Sequence, residues 1–310
     1  GFPDPQETSK EVTAITIKNN IDNTYYVWAT VDYDVDKSIM KDNRVVFTKC
    51  DNEVRLLIDF LSHWSTPKNT PDVITGWNSR FFDIPYLVHR TTKLLSEEAA
   101  KKFSPWGMVD AREVTVMQRK QLAYELHGIS QMDYLELFKK FGYSYGAQES
   151  YKLDHIAHVV LGEKKLSYDE YSSLHTLYLR NPQKFIDYNI KDVELVDRLE
   201  DRLGLVTLAL TMAYRGSVNY SETFGTTSIW DSIIFRDLHA NNIIVPFAEE
   251  KIKTPYPGGY VKEPKIGMHD WVVSFDLNSL YPSIIMQGNM SPETIASGEV
   301  SDVCVNSILG

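Results

Sequence analysis

The chain has 310 residues, of which 43% are hydrophobic and 12% aromatic, so it can build packed cores and does not belong to the disordered class. Its 32 basic and 42 acidic residues give a net charge of −10, which excludes a protein that grips nucleic acid over most of its surface. The length predicts about two domains.

Cysteine usage and the terminal sequence indicate the compartment. Cys50 and Cys304 lie far apart and form no CxxC pair, which argues against a zinc site or a disulfide framework. The first residues lack the basic flank and apolar core of a signal peptide. The most apolar run, residues 203–214, is broken by threonines and is shorter than the roughly 20 residues of a membrane helix. We therefore expect a cytoplasmic protein with no membrane partner.

The first part of the chain reads as strands followed by a helix. Residues 12–18, 25–31 and 45–48 are predicted strands, with a polar turn at 19–23. Apolar residues in 52–64 recur at the spacing of an amphipathic helix. This order predicts an α/β or α+β core.

A short buried strand within 72–78 leads to a helix that opens near Phe81. Asp83 is well placed as the N-cap of that helix, with Pro85 tolerated in its first turn. Farther on, residues 114–126 alternate around a polar stretch containing Arg119 and Lys120, which predicts a β-hairpin with a basic tip. Such a tip suits phosphate contact, although hairpins without a function are common.

Two further segments carry candidate side chains on predicted helices. Tyr188 and Asp192 are four residues apart, so the phenol and the carboxylate share one helix face. The competing interpretation is an acidic surface helix with a half-buried tyrosine. His155 and His158 are three residues apart, but with no accompanying cysteine or carboxylate motif they are interpreted as surface or core histidines.

The last third contains an apolar helix over 204–214, a second helical stretch over 226–241 and a glycine-containing string at 255–260. Gly258 and Gly259 let the backbone approach a bulky group, and a plain turn needs them as well. The run from Val272 to Phe275 predicts a strand that ends at Asp276, with a helix start directly after it.

A carboxylate at a strand end can bind Mg²⁺, and the N-H groups of the following helix start suit a polyphosphate. Alternatively, Asp276 only satisfies local backbone donors. The string Asp-Leu-Asn-Ser-Leu-Tyr-Pro-Ser-Ile-Ile, residues 276–285, closely resembles the first palm motif of family B DNA polymerases. The strings around Asp83, around Tyr188 and Asp192, and around Tyr256 and Gly258 resemble other motifs of this family, in the same order. The chain is most similar to the T-even-type bacteriophage branch.

This resemblance implies an architecture. It implies an α/β, ribonuclease-H-like 3′-to-5′ exonuclease domain over residues 1–203, then a helical segment over 204–246 that packs with the N-terminal domain. Residues 247–310 would be the start of an α+β polymerase palm.

The resemblance also implies roles for the candidate residues. In the exonuclease site, Asp83 and Asp192 would bind Mg²⁺, with Mn²⁺ as a substitute, and Tyr188 would orient the attacking water. In the palm, Asp276 and the Leu277 carbonyl would bind metal. The backbone of Ser279, Leu280 and Tyr281 would bind the nucleotide.

The implied partners are primer-template DNA, a deoxynucleoside triphosphate and a sliding clamp. The DNA contacts would come from Tyr256, Gly258, Gly259, Arg119 and Lys120.

Two family motifs have no counterpart in the sequence. Nothing before Val12 forms the Asp-x-Glu of the first exonuclease motif, and Gly1 to Asp4 resemble the loop that follows it. There is also no Asp-Thr-Asp string for the second palm carboxylate. We therefore expect a polypeptide of this sequence to lack normal exonuclease and polymerase activity. Two alternatives are a stand-alone ribonuclease-H-like nuclease, which leaves the residues after Gly258 unexplained, and a non-catalytic nucleic-acid-binding module.

Overall fold

The structure is a computed structural model that describes residues 4–38, 40, 44–116, 119–244, 260–291 and 294. The chain forms two compact units, Gly1–Phe247 and Ala248–Gly310. The described strands are, in chain order, β1 (Ala14–Asn19), β2 (Thr24–Ala29), β3 (Arg44–Lys49), β4 (Val73–Ile74), β5 (Val109–Val116), β6 (Arg119–Leu126) and β7 (Ser130–Gln131).

The described α-helices follow the same numbering. They are α1 (Glu53–Trp64), α2 (Asp83–Leu94), α3 (Glu97–Ala100), α4 (Tyr134–Phe141), α5 (Leu153–Leu161), α6 (Leu174–Arg180), α7 (Pro182–Leu203), α8 (Leu205–Gly216), α9 (Thr227–Ala240) and α10 (Leu280–Gln287). Among the described residues, every helix falls short of the length and apolar character that a bilayer crossing needs.

The central sheet of the first unit has the order β1-β2-β3, with β1 and β2 antiparallel and β2 and β3 parallel. Alternate residues of β2 face opposite sides, as the pleat of a strand requires. Trp28 packs in the core that contains α1, and Tyr25 and Val27 pack in the core that contains residues of α7. Helices therefore cover both faces of this sheet, and the predicted α/β character is confirmed.

Helix α1 shows how closely the sequence determines local structure here. The Asn52 side chain caps it by accepting a hydrogen bond from the Arg55 N-H at 2.9 Å. Of the apolar residues whose spacing predicted the helix, Leu57 and Leu61 lie on its buried face, whereas Val54 and Ile58 are exposed. The predicted helix over 52–64 is confirmed.

A two-stranded parallel sheet, β4 with β7, and the antiparallel hairpin β5-β6 complete the strands of this unit. The predicted hairpin is confirmed and begins earlier than expected, at Val109. Strand β4 is only two residues long, so most of the predicted 72–78 segment is a loop. Helices α4, α5, α7 and α8 share a second core that includes Leu137, Ile156 and Leu199.

Helix α7 is followed at once by α8, and Gly204 between them has φ = +62°, a conformation that favours glycine. The compact unit continues through α8 and α9 to Phe247.

The second unit contains α10, which confirms the helix predicted after Asp276. The strand predicted over 272–275 is wrong, because these residues have no regular structure. A strand needs a hydrogen-bonded neighbour, and the described residues of this unit contain no strand that could pair with it. Phe275 is accordingly 91% exposed.

Candidate active site

The first candidate carboxylate, Asp83, lies where the chain enters α2 from the loop after β4. The alternative that Asp83 caps this helix is wrong. Asp83 is the first residue of α2, and the capping position belongs to Phe82, which makes no side-chain cap hydrogen bond. The Asp83 carboxylate is therefore available for another partner.

Asp83 combines solvent access with a dense protein environment. The residue as a whole is exposed to solvent. Desolvation by the surrounding protein and the negative charge of Asp133 raise the pKa of Asp83 to about 7, and the charge of Asp192 acts in the same direction. Lys165 opposes these effects. Asp83, Asp192 and Lys165 are therefore within electrostatic reach of one another.

Tyr188 and Asp192 lie on α7 as predicted, one turn apart on the same face. The Lys165 ammonium contacts both, since its Nζ lies 2.6 Å from Asp192 Oδ2 and 3.4 Å from the Tyr188 hydroxyl. Burial raises the pKa of Asp192, and Lys165 opposes this rise. Burial is the largest single effect on Lys165 and would lower its pKa, but the charges and hydrogen bonds of Asp192 and Tyr188 together raise it.

The second oxygen of Asp192 has no hydrogen-bond partner. Oδ1 is buried and unpaired in the structure, while Oδ2 binds Lys165. A buried carboxylate oxygen without a donor is costly. A hard divalent cation bonds such oxygens readily, so this atom fits a metal ligand.

Lys165 is a residue that sequence reasoning missed. It lies in an irregular stretch between α5 and α6, and its backbone N-H donates to Asp154 Oδ1 at 2.8 Å. Tyr168 from the same stretch packs edge-on against Tyr188, with ring centroids 5.5 Å apart. Neither periodicity nor a motif marks this stretch, so no local pattern points to Lys165.

The predicted DNA-contacting tip of the hairpin is only partly described. Lys120 is exposed and its Nζ lies 3.0 Å from Glu113 Oε2 on the facing strand. The Arg119 side chain lies outside the described part of the chain, as do Tyr256, Gly258 and Gly259. For these four residues the sequence-based expectations stay predictions.

The palm-motif residues are gathered at the start of α10. Asp276 and Leu277 precede the helix, Ser279 occupies its capping position, and Leu280 and Tyr281 form its first turn. Ser279 has φ = +54°, and its side chain accepts no cap hydrogen bond from the first turn of the helix. Asp276, Leu277 and Tyr281 are exposed.

Comparison with known proteins identifies the class as DNA polymerases, and the chain belongs to DNA polymerase family B. Residues 1–156 match the family's exonuclease domain, and residues 223–307 match the DNA polymerase family B domain. This agrees with the resemblance drawn from the motifs.

Two bacteriophage relatives are similar to nearly the whole chain. The DNA-directed DNA polymerase of Escherichia phage RB69 is 35% identical over 96% of this chain. That of Enterobacteria phage T4 is 34% identical over 95%. DNA polymerase 1 of Sulfurisphaera ohwakuensis is 28% identical over 95%. The chain spans about a third of the length of each, 34%, 34% and 33% respectively.

Proposed function

We propose that the first unit carries the 3′-to-5′ exonuclease site of a family B DNA polymerase, on a ribonuclease-H-like fold over residues 1–203. The substrate would be the 3′ end of a DNA strand. The observation that carries the proposal is the buried, unpaired Oδ1 of Asp192, a carboxylate whose charge also raises the pKa of Asp83. Family membership supplies the reaction class.

Asp83 and Asp192 would hold Mg²⁺, with Mn²⁺ as a substitute. When bound, a divalent cation lowers the pKa of a coordinated water and stabilises charge on the phosphodiester oxygens. The Tyr188 hydroxyl, which lies on the same helix face as Asp192, would orient the attacking water. Lys165 contacts both side chains, so it can fix their positions and reduce the repulsion between neighbouring anions.

The second unit would be the start of a polymerase palm. In that role Asp276 and the Leu277 carbonyl bind a divalent cation, and the N-H groups of Ser279, Leu280 and Tyr281 bind the triphosphate of an incoming nucleotide. The exposed start of α10 supports this, because the first N-H groups of a helix have no partner within it. Tyr256, Gly258, Gly259, Arg119 and Lys120 would contact primer-template DNA.

The wider setting is also part of the proposal. The complete polymerase would act in the host cytoplasm, copy primer-template DNA from deoxynucleoside triphosphates and associate with a sliding clamp. The similarity to phage DNA polymerases along nearly the whole chain supports this setting.

The test is a titration of the 310-residue chain with Mn²⁺, in which the paramagnetic broadening of backbone amide NMR signals reports where the ion binds. We expect amides next to Asp83 and Asp192 to broaden first, at Mn²⁺ concentrations far below those that affect the remaining signals. Replacing a metal ligand removes one of few bonds to the ion, so Asp192→Asn should weaken this binding by about tenfold or more.

Glu194→Gln is the matched control. Glu194 is also on α7, but its carboxylate binds Lys191 at 2.7 Å. In this variant the amide signals next to Asp83 and Asp192 should broaden at the same Mn²⁺ concentration as in the wild type. Absence of broadening next to Asp83 and Asp192 at low Mn²⁺ concentration, or broadening there that Asp192→Asn leaves unchanged, would contradict the proposed exonuclease site.

A further inference from the structure

Asp133 is a buried carboxylate that the proposed reaction does not use. It is 1% exposed and occupies the capping position of α4. Its Oδ1 accepts hydrogen bonds from the N-H groups of Leu135 at 3.0 Å and Glu136 at 3.3 Å, within α4. These two bonds are those of an ordinary helix cap.

The same carboxylate also binds the loop between β4 and α2. Oδ1 accepts from the Asn78 N-H at 3.3 Å, and Oδ2 accepts from the Arg80 N-H at 3.0 Å. Asn78 has φ = +64°, a backbone conformation that a non-glycine residue adopts only when surrounding contacts stabilise it. The cap of α4 is therefore also the support of a strained loop.

Two further contacts join the start of α4 to this loop. The Tyr134 N-H donates to the Gly76 carbonyl at 2.9 Å. The Arg80 guanidinium lies 3.0 Å from Glu136 Oε2. The loop is thus held at both its beginning and its middle by the first turn of one helix.

The loop in turn determines where α2 begins. The Phe82 N-H donates to the Asn78 carbonyl at 3.1 Å, and the Ile84 N-H donates to the Ser79 carbonyl at 2.9 Å. Asp83 lies between these two anchored residues. A displacement of the loop would therefore displace the Asp83 carboxylate.

A helix cap alone does not require a carboxylate at residue 133. Serine and asparagine cap helices as well as aspartate does, and neither places a negative charge in a buried position, which is costly. What only the carboxylate supplies is a second acceptor oxygen, and that oxygen binds the Arg80 N-H.

From these contacts we propose that Asp133 is a positioning residue of the divalent-cation site, which holds the 76–82 loop so that Asp83 reaches the ion. The inference rests on the proposed function, because it assumes that Asp83 binds the cation. Asp133 itself does not touch the ion. It acts through the backbone of Asn78 and Arg80.

Two variants separate positioning from capping. Asp133→Asn retains an oxygen for the three Oδ1 bonds and places an NH₂ group against the Arg80 N-H, where two donors cannot pair. Asp133→Ser caps α4 but is too short to bind the loop. The control is Asn52→Ala, which removes the cap of α1 on a helix that does not carry a candidate ligand.

Each chain is measured by thermal unfolding, by amide hydrogen exchange at Arg80, and by the Mn²⁺ titration described above. We expect both Asp133 variants to exchange the Arg80 amide at least tenfold faster and to bind Mn²⁺ about 10- to 100-fold more weakly, the usual loss for a supporting residue. Asn52→Ala should lower the unfolding temperature and leave the Mn²⁺ affinity unchanged.

The outcomes are distinguishable. Wild-type Mn²⁺ affinity in folded Asp133 variants would overturn the positioning role and leave the proposed function standing. Failure of the wild-type chain to bind Mn²⁺ near Asp83 would overturn both. If both Asp133 variants fail to fold while Asn52→Ala folds, Asp133 is a general structural residue and the positioning role is wrong.

Discussion

The two carboxylates of the candidate site differ in what surrounds each of them. Asp192 shares one oxygen with the Lys165 ammonium at 2.6 Å. Asp83 is influenced by the same ammonium, but desolvation and the charge of Asp133 outweigh it and raise its pKa to about 7. Asp83 is therefore still partly protonated near neutral pH, where an ordinary aspartate has lost its proton.

This difference predicts a pH-dependent effect of Asp83→Asn on stability in the absence of metal. The folded pKa of Asp83, about 7, lies above its ordinary value of 3.8, so the folded protein holds the proton of Asp83 more tightly than the unfolded chain does. The stability that this proton contributes is fully present below pH 3.8 and is lost as the pH rises through 7. Asparagine does not titrate. Because water reaches the carboxylate and screens it, we expect the variant to be more stable than the wild type by only about 1 kcal/mol at pH 8.

The measurement is urea unfolding in EDTA at pH 4.5 and pH 8. The stability difference between Asp83→Asn and the wild type should become more favourable to the variant as the pH rises. Asp72→Asn serves as a control, since Asp72 is an exposed carboxylate just before β4. A pH-independent difference for Asp83→Asn would show that the carboxylate titrates as in the unfolded chain.

At the scale of elements, a buried ion pair joins α1 to α2. Arg90 on α2 donates to Glu53 Oε1 at 2.5 Å and to Oε2 at 2.6 Å, and both residues are buried. Glu53 Oε1 also accepts from the Val12 N-H at 2.8 Å, and Arg90 donates to the Thr8 carbonyl at 2.9 Å. One pair therefore fixes the segment before β1 against the two helices, including the helix that Asp83 begins.

We predict that Glu53→Gln destabilises the first unit by about 3 kcal/mol at pH 7. The change leaves the Arg90 guanidinium buried without an anion, and removing one partner of a buried pair typically costs this much. Chemical unfolding monitored by circular dichroism measures the difference in the free energy of unfolding.

The control for this prediction is an exposed pair of the same kind. Glu98→Gln removes the partner of Lys101, in a pair whose side chains are 79% and 48% exposed. Surface pairs contribute little, so this variant should change stability by less than about 0.5 kcal/mol. Equal effects of the two substitutions would mean that the Glu53–Arg90 pair is not buried in solution.

The sequence predicts some elements of the fold and of the candidate site better than others. Helix α1 was predicted from the helical spacing of its apolar residues, and a helix was predicted around Tyr188 and Asp192, so local patterns located both α1 and α7. They also predicted that Tyr188 and Asp192 share a face. Lys165 contacts that face from the irregular stretch between α5 and α6. Its position depends on tertiary contacts such as the one with Asp154, which no local pattern encodes.

At the scale of the molecule, the two units differ in how much apolar surface they bury. Among its described residues, the first unit contains three clusters of buried residues. In the second unit, the apolar residues around the palm motif are largely exposed, with Trp271 at 98% and Phe275 at 91%. The wrong prediction of a strand over 272–275 has this cause, because the apolar pattern of these residues predicts burial but burial needs a partner surface.

This contrast predicts that the same substitution, Phe to Ser, has a small effect on stability in the second unit and a large one in the first. Phe275→Ser should leave the free energy of unfolding within about 0.5 kcal/mol of the wild type, because an exposed side chain contributes little to folding. It should also reduce binding of a dye that reports exposed apolar surface, such as bis-ANS. Phe60→Ser, at a core residue of α1 that is 1% exposed, should cost at least 3 kcal/mol. A loss of more than about 2 kcal/mol for Phe275→Ser would show that Phe275 lies in a packed core of this chain.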